Sequence, residues 1–287
     1  MKYLKNFNEN INRSEIEAIC KKYNIKNYII NDDDTIDVDG DVYLYNKKLK
    51  VLPLKFRNVN GSFNCGFNEL TSLEGAPQRV GGDFSCISNH LTSLEGGPQS
   101  IGGFFDCRNN KLTSLVGCPQ SIGGGFYCKD NQLTSLMGCP QSVGGDFSCY
   151  DNQLTSLEGA PQSVGGDFSC SSNQLISLEG APKRVGDVFW CYSNNLKNID
   201  YLPKYYKELS IRDNPIYKII KLFTTSNDYG RISNREDKEL IVDFIDREMI
   251  QQDILLVNRL VEFLDDIGKP KSREELIELL KNDYELR

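Results

Sequence analysis

The stretch FSCYDNQLTSLEGAPQSVGGD, Phe147 to Asp167, is followed at once by FSCSSNQLISLEGAPKRVGD, Phe168 to Asp187. The same frame returns along most of the chain. Cys65, Cys86, Cys107, Cys128, Cys149, Cys170 and Cys191 are each 21 residues apart, and Phe63, Phe84, Phe105, Phe126, Phe147, Phe168 and Phe189 stand two places before them. A fixed period of this length outranks any local reading of helix or strand and announces a solenoid. In F-x-C the flanking side chains point the same way, so Phe147 and Cys149 face inward while Ser148 and Tyr150 face outward. Stacked copies then form a parallel sheet with one short strand per repeat. The Asn that follows each strand is expected to turn its amide inward and satisfy backbone groups that would otherwise be buried unpaired. Gly-Gly pairs at 81–82, 102–103, 123–124, 144–145 and 165–166 sit just ahead of the strands, where a tight bend at positive φ is expected. The return segment SLEGAPQSV, stiffened by its proline, is too short for a helix, so the convex side is expected to be extended or 3₁₀-like and only mildly curved.

The unit resembles a leucine-rich repeat, whose pattern LxxLxLxxNxL is here written GxxFxCxxNxLxxL. The Asn position is filled by Asn68, Asn89, Asn110, Asn131, Asn152, Asn173 and Asn194, and the next leucine by Leu70, Leu91, Leu112, Leu133, Leu154, Leu175 and Leu196. Divergent copies extend the array: Val42, Leu44, Leu49 and Leu52 upstream, with Lys47 at the Asn place, and Leu209, Ile211, Asn214, Ile216 and Ile219 downstream. The resemblance, to short repeats of bacterial and phage type, implies a leucine-rich repeat solenoid, α/β by convention but mostly β. About nine repeats are expected over residues 38–220, giving a sheet about 40 Å long.

Both ends of such an array need covering, because each exposes apolar surface and an unpaired strand edge. Residues 1–37 are expected to supply an N-terminal helical cap, with Ser14 and Glu17 as a capping box and Ile16, Ile19, Cys20 and Tyr23 as the apolar stripe. Residues 221–287 change character. After a linker, KLFTTSNDYGRISNRE, helices are expected at about 235–248 and 250–267, and Ser272 with Glu275 opens a third, making an α-helical cap or small bundle.

Composition narrows the function. The 287 residues are 25% charged and 39% hydrophobic, which describes a folded chain. With no long apolar run and no apolar stretch near the N-terminus, neither a membrane span nor a secretory signal is expected, so the cytoplasm is the default. A net charge of -7 argues against nucleic acid or an anionic membrane as the main partner. The ten cysteines include seven at an apolar inward position, where a free thiol acts as a small hydrophobe; a disulfide framework or a metal stack fits the spacing less well. No cofactor is expected. The cluster from Asp32 to Asp41 lacks the order of an EF-hand loop and reads as a solvated turn.

In a leucine-rich repeat the outward strand positions line a concave face. Here they bring Tyr43, Tyr45 and Phe67 to the N-terminal end, Arg108, Tyr127, Lys129, Tyr150 and Asp151 to the middle, and Trp190, Tyr192 and Arg212 toward the C-terminal end. Aromatic residues and Arg on an exposed face are typical anchors of protein interfaces. The expected function is therefore a non-catalytic scaffold that binds a protein partner. Two alternatives stand beside it. Arg108, Lys129, Arg212 and the aromatics would serve a nucleic-acid or nucleotide module, and Asp106, Asp130 and Asp151 beside tyrosines would serve a carbohydrate-binding or hydrolytic groove. Catalysis has little else to draw on: the single histidine, His90, occupies a variable position of the repeat, and no phosphate-binding loop occurs. Some bacterial leucine-rich repeat effectors that resemble this chain carry a C-terminal ubiquitin ligase domain, but no cysteine follows Cys191.

Overall fold

A computed structural model describes residues 11–225, 230–251 and 254–287; residues 1–10 of the N-terminal segment and 226–229 of the linker lie outside the described residues. Nine short strands stack in parallel in one sheet, beginning with Val42–Tyr43 and Phe63–Asn64, passing through Phe126–Tyr127 and Phe147–Ser148, and ending with Val188–Trp190 and Glu208–Ser210. The register is that of the repeat, Phe opposite Phe, as in Phe105↔Phe126↔Phe147↔Phe168. Two of the nine equivalent positions are Val42 and Leu209; the other seven, Phe63 to Phe189, are fully buried rings that touch in series with centroids 5.1 to 5.7 Å apart. All ten cysteines are free and buried. Burial pushes the thiols of the seven repeat cysteines up, Cys65 to about 12.

The convex side is extended, one of the two conformations expected, but its segments also pair as strands, which the sequence reading did not include. Each turn contributes a second strand there: Ile36–Val38, Phe56–Val59, Arg79–Val80, Ser100–Ile101 and Ser121–Ile122 form one parallel group, with Tyr28–Ile30 antiparallel on its outer edge. Ser142–Val143, Ser163–Val164 and Arg184–Val185 form another. The core is thus held between two rows of strands. Most of the convex row went unread because its two-residue strands each spend only one side chain on the core, such as Val143 or Val164, and two residues show no alternation.

The glycines also work differently from expectation. The Gly-Gly pairs do not take positive φ; that conformation falls on Gly75, Gly96, Gly117, Gly138, Gly159 and Gly180, with φ of 80 to 95°. The pairs are needed because adjacent turns approach too closely for a side chain: a Cβ at Gly123 would lie 2.1 Å from the carbonyl oxygen of Gly102.

At the corner after each concave strand, the residue before the Asn adopts a left-handed conformation, with φ of 53 to 56° from Phe67 through Ser193. That sharp corner turns the Asn inward. Asn110 Nδ2 donates to the carbonyls of Cys86, Cys107 and Arg108, and its Oδ1 accepts from the Leu91 amide at 3.0 Å. The same bonds recur from Asn68 to Asn214, each Asn serving its own turn and the one before it.

At the N-terminal end, helix α1 (Arg13–Lys22) packs Ile16 and Cys20 onto the array. Its capping box is Asn12 with Glu15 rather than Ser14 with Glu17; both pairs have the required spacing, and Asn12 holds the Glu15 amide at 3.1 Å. At the other end, Tyr217–Phe223 forms α2, Arg235–Asp246 α3, Val257–Asp266 α4 and Arg273–Leu280 α5. The helix expected over 250–267 is shorter, because Ile250–Gln251 and Ile254–Leu255 pair as antiparallel strands, with Glu285–Leu286 alongside. Ile254 and Leu255 fit a helical stripe equally well in sequence, and pairing with the C-terminal strand decides the matter. The Ser272–Glu275 box does open α5. Arg231–Ile232 adds an antiparallel strand to the last turn, and Tyr284 donates to the Lys197 carbonyl at 2.9 Å, so this segment covers the end of the stack. Among the described residues no helix is long and apolar enough to cross a membrane.

Candidate functional site on the concave sheet

The outward positions of the nine-stranded sheet are not uniformly accessible. Ser85, Asp106, Ser171 and Ser210 are buried between larger neighbours, leaving three groups of projecting side chains. At the N-terminal end Tyr43, Tyr45 and Phe67 are the most exposed, and the rings of Tyr45 and Phe67 lie 5.0 Å apart.

In the middle, Arg108 pairs with Asp106 at 2.9 Å, while its backbone amide donates to the same carboxylate at 3.2 Å. Burial raises the Asp106 pKa, against the pull of Arg108. Lys129 and Asp130 stand 4.0 Å apart. Tyr127 leans back over Gly125, where a Cβ would be 2.8 Å from the phenol oxygen, and its hydroxyl reaches Asp146 at 3.3 Å. Burial, chiefly, raises the Tyr127 pKa, so the phenol stays protonated.

The grouping read from sequence shifts at Tyr150. It leaves the middle cluster and leans across the buried Ser171 toward Tyr192, two turns on, with ring centroids 6.4 Å apart. Trp190 meets Tyr192 edge to face at 6.3 Å. Arg212 lies over Tyr192 and Arg231 over Trp190, at 5.1 and 4.8 Å from the ring centroids. The five aromatic and cationic groups therefore form one continuous patch, with Asp151 exposed at the corner of its turn. Trp190 and Tyr192 are half-buried by these neighbours and by each other.

Two contributors went unread in the sequence. Arg231 comes from outside the repeat, and period-based reasoning has no place for it. The other is a row of carboxylates one place before the strand. Asp146 and Asp167 each accept an amide of the next turn with one oxygen, at 3.0 and 2.9 Å. With the other they hold an aromatic: Asp167 accepts from Trp190 Nε1 at 3.2 Å, and Asp41 holds Tyr43 in the same manner at 3.1 Å. The recurring Asp-Phe dipeptide was the available signal. These bonds fix the aromatic rotamers before any partner arrives. Within the Asp32–Asp41 run, Asp33 is engaged with Thr35, Asp37 with Arg57 and Asn58, and Asp39 with Asn60. Among the described residues no group of three acids, thiols or imidazoles could hold a metal ion.

No family model matches the chain, and no curated protein does. Solved structures similar to it include YopM from Yersinia pestis, described as a leucine-rich effector protein, at 17% identity over 58% of this chain and 61% of that one, with a TM-score of 0.35. YopM from Yersinia enterocolitica WA-314 is 18% identical over 61% of this chain and 56% of that one, with a TM-score of 0.30. The chain spans about three fifths of the length of these structures.

Proposed function

We propose, for a chain that is a leucine-rich repeat protein, that it is a non-catalytic scaffold whose concave sheet binds a protein partner. The observation that supports this most is the patch of Tyr150, Trp190, Tyr192, Arg212 and Arg231, where rings and guanidinium groups are stacked on one another and Trp190 is held by Asp167. Side chains already ordered in the free protein lose little entropy on association, and Trp, Tyr and Arg are the residues that most often dominate interface energy. Residues 38–220 are the recognising unit, with 1–37 and 221–287 as its covers. Ten free cysteines suit the reducing cytoplasm. Asp106, the most buried acid of the face, is committed to Arg108, which favours binding over hydrolysis.

The test is capture from source-cell lysate, comparing the native protein with a Tyr127→Ala, Tyr150→Ala, Trp190→Ala variant whose fold is checked by circular dichroism. A protein captured by the first and lost by the second supports the reading. Equal capture by both moves the partner off this face. Nucleic acid captured at low salt and shed steeply as salt rises would instead favour the phosphate-binding alternative.

A further inference from the structure

On the convex side of the last two turns the repeat changes its chemistry. The positions filled by Gln and Ser in PQSV become Lys183 and Arg184, then Lys204 and Tyr205. Arg184 and Tyr205 stand side by side in a parallel bridge, and Lys204 takes the Lys183 carbonyl at 3.0 Å, so these side chains stack in register on neighbouring turns. Helix α3 faces this end wall and closes a groove of about 660 Å³. Its rim carries Arg184, Lys204, Lys207 and Lys238, and among the described residues no carboxylate lines it; Asp187, outside the lining, pairs with Lys207 at 3.6 Å. The lining also includes Leu202, Val242 and Ile245, of which Val242 is 53% exposed. Val242 and Ile245 share the face of α3 that carries Lys238.

We propose that this groove binds an acidic, apolar peptide segment of a partner protein, separately from the concave face. A cationic rim over an aliphatic floor, in a chain of net charge -7, is complementary to carboxylates alternating with aliphatic side chains. Single-stranded nucleic acid fits less well, because it needs open ring faces to stack on. Of the three lining tyrosines two already carry a cation on one face, Arg184 over Tyr205 at 5.4 Å and Lys238 over Tyr206 at 5.6 Å, while the third, Tyr201, is 60% exposed. An anionic membrane fits less well again, since the aliphatic side chains line a groove in which Leu202 and Ile245 are half-buried.

The experiment is fluorescence anisotropy with the full chain and a short labelled peptide of alternating Glu and Leu. The same peptide with Gln for Glu, labelled oligothymidylate, and phosphatidylserine vesicles are the competing probes. Lys204→Glu and Val242→Asp alter exposed side chains, and Lys207→Glu, at a side chain 70% exposed, is the reserve should either fail to fold by circular dichroism. The expected result is saturable binding of the Glu–Leu peptide, weakened about tenfold or more by each substitution and by the Gln exchange, and unchanged in the Tyr150→Ala, Trp190→Ala protein. No binding of that peptide, binding indifferent to both substitutions, or tighter binding of oligothymidylate or vesicles would each overturn the proposal. Because the concave variant is included, loss of either surface is recognised apart from the other.

Discussion

Asn110 shows how much one side chain can carry in this molecule. Four backbone groups bond to it, three carbonyls and one amide; the Arg108 carbonyl also accepts from the Ser88 amide, and the other three bonds are buried. Asn110→Ala takes this partner from the Leu91 amide and the Cys86 and Cys107 carbonyls in an interior that cannot admit solvent without opening, so a loss of about 2–4 kcal/mol is expected in urea unfolding. Asn110→Asp is expected to destabilise as well, because it sets carboxylate oxygens against three carbonyls. His90, by contrast, is exposed at a variable position, and His90→Gln should leave the unfolding midpoint unchanged. The buried thiols give a further check: Ellman's reagent should find none of them at pH 8 in the native protein and ten after denaturation.

At the scale of the strand and the turn, glycine has two separable uses. Gly123 is needed for its missing Cβ, and Gly268, with φ of 70° and nothing within 4 Å of an added Cβ, is needed only for its backbone freedom. Gly268→Ala should therefore cost about 1–2 kcal/mol, the ordinary penalty of a left-handed residue. Gly123→Ala must push two turns apart and should cost about 3 kcal/mol or more, read from thermal or urea unfolding of the two variants side by side. This difference also marks the limit of what the sequence discloses. The Phe, Cys, Asn and Leu rows are legible because each recurs at a fixed interval and each has a chemical reason to be inside. The contact that demands Gly123 is with a residue one whole turn earlier, so no local pattern reveals it. The convex strands escape for lack of length, and the choice between Asn12 and Ser14 as helix cap turns on a two-residue shift that both spellings allow. For the concave face, the sequence placed Trp190, Tyr192 and Arg212 together, whereas the leaning of Tyr150 over a small buried serine and the arrival of Arg231 depend on side-chain volumes and on chain outside the repeat.

The stack as a whole is tied to pH through its thiols. The repeat cysteines are held protonated by burial, well past the range in which an unfolded chain releases its thiol protons, near pH 8.5 to 9. Below that range native and unfolded states bind the same thiol protons, and no stability depends on them. Above it the unfolded chain sheds protons that the native state retains, so stability falls with rising pH, by about 1.4 kcal/mol per pH unit for each such thiol. The expected outcome is a steep loss of the unfolding midpoint between about pH 9 and 10.5, relieved in steps as Cys107, Cys128 and Cys149 are replaced by Ala in variants compared each with its own midpoint at pH 7.

The asparagine ladder runs in one direction, and that gives synthesis a rhythm. Leu70 is served by Asn89, Leu91 by Asn110 and Leu112 by Asn131, so the interior of every turn is completed by the turn that follows it in the chain. A ribosome delivers about 5–20 residues per second, so a newly emerged turn waits about one to four seconds for the asparagine that closes it. During translation the growing end is always one open coil, until Asn214 and then the strand at Arg231–Ile232 bring that series to a close.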